Sequence, residues 1–147
     1  MATKSSVDQL NSFLRGELSA VETYRMALDK LDAGSPARIE VESAMQSHQQ
    51  RVTLLKDAVI QLGGKPAESS GPWGAFAKAV EGAARVFGDK AAIAALEEGE
   101  DHGLKDYKNG IDDKDLDAQA RTIVSGQLLP EQQRTHARLS ALKKQLA

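Results

Sequence analysis

The sequence predicts an all-α fold: a four-helix bundle made of two antiparallel hairpins. Three observations carry this reading. Strong helix formers (Ala, Leu, Glu, Lys and Gln) are abundant throughout the chain. Apolar residues recur at spacings of three, four and seven along four long stretches, and few segments alternate with period two. Breaks rich in Gly, Pro or Asp separate those stretches. A length of 147 residues suits one domain, residues 1–147, large enough to bury its own core.

The first helix starts near Ser5 or Ser6, either of which suits an N-cap. It carries Leu10, Phe13, Leu14, Val21, Leu28 and Leu31 at helical spacing and ends at Asp32-Ala33-Gly34, where Gly34 suits a left-handed position. Ser35-Pro36 reads as a cap followed by a first-turn proline. The second helix carries Val41, Met45, Val52, Leu55, Val59 and Leu62, and Gly63-Gly64-Lys65-Pro66 stops it. The turn joining these helices is very short, so they are expected to be antiparallel neighbours.

Residues 63–73 read as a loop, and residues 74–87 as a short extra helix carrying Phe76, Val80 and Phe87. Together they form a long crossover that Trp73 and the two phenylalanines are expected to pin to the bundle. The third long helix begins at Asp89 as N-cap and runs to about Ile111, followed by a polar turn over Asp112 to Asp115. The fourth runs from about Leu116 to the C-terminus with Gly126 and Pro130 inside it. Pro130 lacks a backbone N–H, which predicts a kink or local break.

The two halves of the chain share a short repeat. Gly16-Glu17 is followed by Tyr24 and Gly99-Glu100 by Tyr107, each tyrosine seven residues after its glutamate. Seven residues is close to two helical turns, so Leu10, Glu17, Tyr24 and Leu31 share one face, as do Ile93, Glu100 and Tyr107. In the second helix His48 interrupts the apolar stripe, and in the fourth His136 stands among Leu129, Leu139 and Leu146. Each long helix is thus expected to point one ionisable side chain at the core: Glu17, His48, Glu100 and His136.

A buried carboxylate is costly unless it is paired, protonated or metal-bound. A divalent cation would satisfy all four groups, because carboxylate and neutral imidazole are good ligands for Fe, Mn or Zn. Two Glu–His hydrogen-bonded pairs with protonated imidazoles would satisfy them with no metal at all. Both readings stand at this level. Tyr24 and Tyr107 read as core residues with satisfied hydroxyls rather than redox participants.

The pattern resembles the ferritin-like superfamily, whose di-iron members take one glutamate from each of two helices and a Glu-x-x-His motif from each of the others. Glu17 and Glu100 match the single glutamates, and His48 and His136 the histidines. The chain is similar to a group of small bacterial ferritin-like proteins with a helical insertion in the crossover. The segments Leu10-Asn11-Ser12-Phe13-Leu14 and Gly99-Glu100-Asp101 carry that likeness. Met45 and Gln133 stand where the motif has its other carboxylates. The resemblance therefore implies a reduced, mononuclear or degenerate di-iron site, with Glu97, Asp101 or His102 as candidate substitute ligands, and a role in stress or redox response.

The rest of the sequence narrows the function by exclusion. With no cysteine, disulfides, thiolate metal sites and thiol catalysis are ruled out. There is no P-loop, dinucleotide fingerprint, nucleophile elbow or zinc-finger spacing, so hydrolase and transferase chemistry have no support. A net charge of −2 does not favour nucleic acid as a partner. No apolar run reaches the roughly 20 residues that span a bilayer. The expectation is a cytoplasmic homo-oligomer, a dimer, that binds one metal or acts metal-free through its surface.

Overall fold

A computed structural model describes residues 4–71 and 74–146, with the side chains of residues 74–77 left undescribed. Every regular element among them is helical. Helix α1 is Lys4–Lys30, α2 Ala37–Gln61, α3 Gly74–Phe87, α4 Asp89–Ile111, α5 Ala118–Ile123 and α6 Leu129–Gln145, with a π-helical turn, Val124–Leu128, between the last two. No described helix is long and apolar enough to cross a membrane.

Several local expectations need correction. Ser5 and Ser6 lie inside α1 rather than capping it. The Ser6 hydroxyl instead accepts from the Asp117 N–H at 2.8 Å and ties the α4–α5 turn to α1. Gly34 is not left-handed; that role falls to Gly63 (φ 82°) and Gly88 (φ 84°). Gly63 closes α2, its N–H and that of Gly64 bonding the carbonyls of Ile60 and Val59. Gly88 precedes Asp89, which is the first residue of α4 rather than its cap. Ser35 caps α2 by accepting the Ala37 N–H at 3.2 Å.

The crossover is held by means the sequence did not reveal. Asn11 donates to the Lys65 carbonyl at 2.9 Å and accepts the Ala67 N–H at 2.8 Å. Val80 is fully buried, whereas Phe87 is 75% exposed and pins nothing. Trp73 and the Phe76 side chain lie outside the described residues.

The break expected at Pro130 occurs one turn earlier. The Leu129 N–H bonds the Val124 carbonyl, an i→i+5 link that takes one more residue than an α turn. Pro130 then sits in the first turn of α6, directly after the π turn.

Helix α2 packs on α1, α6 on α4, and α3 lies against both α1 and α4. The core has three layers. One end is apolar and includes Leu10, Leu14, Leu55, Val59, Val124 and Leu128. The other is apolar too, with Ala27, Leu31, Val41, Ile93, Leu96 and Leu139. Each fully buried leucine contributes roughly 1.5–3 kcal/mol relative to exposure. Between the two lies a polar layer containing Glu17, Ser47, His48, Arg51, Glu100, Gln132 and Thr135, all buried.

Candidate functional site

The polar layer starts from the repeat. Helices α1 and α4 run antiparallel, so the glutamate of each lies level with the tyrosine of the other. Tyr24 donates its hydroxyl to Glu100 Oε2 at 2.5 Å, and Tyr107 donates to Glu17 Oε1 at 2.6 Å. His48, from α2, stands between the carboxylates. Its Nδ1 lies 2.5 Å from Glu17 Oε2 and its Nε2 lies 2.6 Å from Glu100 Oε2.

Four residues that the sequence reading passed over, Ser47, Arg51, Gln132 and Thr135, complete the network. Arg51, one turn after His48, reaches Glu17 Oε1 at 3.3 Å through Nη1, which also donates to Gln132 Oε1. Its Nη2 donates to Thr135 Oγ1 at 2.9 Å and to Ser47 Oγ at 3.0 Å. Gln132 Nε2 donates to the Glu100 carbonyl at 2.9 Å and to Oε1 at 3.0 Å, while Thr135 donates to Oε1 at 2.6 Å. Ser47 donates its own hydroxyl hydrogen bond to Glu131 Oε1 at 2.9 Å. All four oxygens of Glu17 and Glu100 therefore accept at least one hydrogen bond.

The electrostatics follow from this geometry. Burial alone would raise the Glu17 carboxyl, but Arg51 and His48 outweigh it and hold the group down at about 2. Burial likewise opposes charge on Glu100, and His48 with the hydrogen-bond donors around it holds that carboxyl below its usual range. Burial disfavours the imidazolium too, yet the carboxylates of Glu17 and Glu100 raise His48 to about 9. Both tyrosines are pushed well above 10.0 by burial and by the carboxylate each one faces. At neutral pH the layer thus carries two carboxylates, one imidazolium and one guanidinium, with no net charge.

Of the four residues expected to converge, Glu17, His48 and Glu100 do so. His136 does not: its Nε2 lies 2.6 Å from Asp101 Oδ1 on a partly open face of the α4–α6 pair. The buried stripe of the last helix is Leu128, Gln132, Thr135, Leu139 and Leu142. The sequence offers Leu128 and Leu129 side by side, and counting from the second selects His136 in place of Thr135. The π turn prevents the stripe of α5 from being carried forward to decide between them. Asp101 and His102 are exposed, and Glu97 pairs with Lys143 at 3.1 Å. None of the three substitutes for a ligand at the centre.

Over the network, α1 and α4 leave a crevice of about 80 Å³. Gly16, Ala20, Gly99 and Gly103 line it, with the exposed His102 and Asp106, and the buried Tyr24 and Tyr107 form its floor. At Gly103 a Cβ would meet Gln132 Nε2 at 2.6 Å, so a larger residue there would have to displace the Gln132 amide from its place in the network.

A metal would have to take a lone pair of His48, but each ring nitrogen already directs that position at a carboxylate oxygen. Arg51 neutralises the charge that a cation would otherwise balance. No set of three or more His, Cys, Asp or Glu side chains among the described residues is disposed to hold a metal ion. As arranged, the donor set does not fit one.

Residues 5–113 match the family described as "Domain of unknown function (DUF2383)", and the chain belongs to that family. The matched span includes Glu17, His48, Arg51 and Glu100, with both tyrosines, but stops before Gln132 and Thr135. No curated protein and no solved structure matches the chain.

Proposed function

We propose that this DUF2383 member is a ferritin-like four-helix bundle that works without a metal and acts by binding, as a cytoplasmic homodimer or a partner-binding module. The observation that carries this reading is the double engagement of His48, with one ring nitrogen on each glutamate, beside the guanidinium of Arg51. A ferritin-like bundle gathers carboxylates at its centre and commonly offsets them with metal. Here the chain supplies both positive charges itself. A fully satisfied buried network fixes the rotation and register of the helices around it, because any slip leaves a charge unpaired.

The competing reading is a mononuclear metal site on Glu17, His48 and Glu100, since these three converge. The test is elemental analysis of untagged protein purified without chelator, and again after anaerobic incubation with Fe²⁺, Mn²⁺ or Zn²⁺. The expected result is sub-stoichiometric metal throughout, with a melting temperature indifferent to EDTA. Near-stoichiometric metal that disappears in His48→Ala would overturn the metal-free reading in favour of its competitor.

A further inference from the structure

We infer that the crevice between α1 and α4 is a binding site for a compact, uncharged molecule with a hydrogen-bond-donating end, of the short-chain alcohol class. The inference rests on the metal-free reading, because it takes the charges beneath the crevice to be balanced already.

Size sets the first limit. An engineered cavity of about 150 Å³ takes benzene in another protein, so a crevice of about 80 Å³ holds roughly three non-hydrogen atoms, with one or two more lying in its open mouth. The wall residues are small, and a Cβ added at Gly16 would meet nothing within 4 Å. A side chain at Gly16 would therefore enter the open space beside α1 that the crevice occupies. Mostly apolar walls over a few convergent polar groups are the usual make-up of a small-molecule site.

The floor sets the second limit. The hydroxyl protons of Tyr24 and Tyr107 are committed to Glu100 and Glu17. Both nitrogens of His48 are committed as well. What remains at the floor is acceptor capacity on the two phenolic oxygens and on Glu17 Oε2, the one carboxylate oxygen there that accepts a single hydrogen bond; His102 and Asp106 also line the crevice but are exposed. A ligand carboxylate would meet oxygen lone pairs, and an ether would bring no donor. A hydroxyl would bring the proton that the floor can accept.

The test is amide chemical-shift mapping of the intact protein with three probes of similar size: isobutanol, diethyl ether and isobutyrate. Isobutanol is expected to give saturable shifts centred on Gly16, Ala20, Gly99 and Gly103. Diethyl ether should bind at least fivefold more weakly, and isobutyrate should give no saturable shift. Gly16→Leu places a side chain in the crevice and should abolish isobutanol binding. Gly82→Leu, at an exposed position of α3 where a Cβ also meets nothing, should leave it intact. Ala20→Val is read in the same way if Gly16→Leu fails to fold. Isobutanol shifts that do not saturate, that map elsewhere, or that survive in a folded Gly16→Leu would overturn the assignment. Isobutyrate bound only after Zn²⁺ is added would overturn the metal-free reading and this assignment with it. An absence of isobutanol binding in protein that also takes up no metal would overturn this assignment alone.

Discussion

Tyr107 gives its hydroxyl proton to Glu17 across 2.6 Å, from the helix opposite, and so stands in the relation to Glu17 that Tyr24 holds to Glu100. The internal repeat is therefore used crosswise. Each Gly-Glu segment supplies an acceptor to the tyrosine of the other half, and His48 lies where the two arms meet. Two local sequence matches become one long-range tie between α1 and α4.

The crosswise tie predicts near-equal costs for two distant substitutions. Tyr24→Phe and Tyr107→Phe each remove a hydrogen bond to a buried carboxylate, a loss of about 1.5–3 kcal/mol. Urea denaturation of both variants checks this, and costs differing by much more than that range would show that the arms are not equivalent.

Arg51→Met leaves the polar layer with one uncompensated negative charge. Breaking a buried pair in this way costs about 3–5 kcal/mol. The defect should shrink when the variant is measured near pH 4, where Glu17, deprived of Arg51, takes up a proton more readily. A defect of constant size from pH 4 to pH 7 would place the Arg51 contribution in packing and not in charge.

His48→Ala and His136→Ala should differ sharply. Removing His48 strips a cation from between two buried carboxylates, at a cost of about 3–5 kcal/mol. Removing His136 breaks a partly exposed pair with Asp101, worth about 0–1 kcal/mol. Conversely, the combined Glu17→Leu, His48→Leu and Tyr107→Phe variant removes one charge of each sign together with the hydroxyl that depended on them. It should be as stable as the parent or more so, by about 1–4 kcal/mol. Thermal melts of the three proteins rank them.

Stability should also peak in mildly acidic solution. A carboxyl held at about 2, as Glu17 is, contributes stability that is present above its ordinary 4.5 and lost as pH falls towards 2. A histidine raised to about 9 contributes stability that is full below its ordinary 6.5 and lost as pH rises through 9. The plateau therefore lies between about pH 4.5 and 6.5. In a His48→Leu protein the alkaline decline should vanish, which urea denaturation at pH 6, 8 and 9.5 would reveal.

Much of this was legible in the residues because helical periodicity is a local property. The heptad spacing of Leu10, Glu17, Tyr24 and Leu31 placed all four in the core, where they are buried. His48 was found because it interrupts an otherwise apolar stripe. Arg51 was missed because arginine in a helix usually extends to solvent. The sign that could have found it is its position one turn from His48 on the same face. Gln132 and Thr135 were missed because their roles depend on the rotation of α6, and a π turn erases that information from simple counting. Which donor bonds which acceptor depends on the antiparallel register of α1 and α4, and no spacing within either helix encodes it.

The π turn has a further consequence for chain length. A regular helix accepts no insertion or deletion, since one residue more or fewer turns everything downstream by about 100°. Val124–Leu128 already accommodates a surplus residue, and at Gly126 a Cβ would meet nothing within 4 Å. A chain shortened by one residue there could relax to ordinary α-helix and still present Ala120 on one side and Leu139 on the other to the same neighbours. The middle of the last helix is thus a place where homologous chains can differ in length without disturbing the centre.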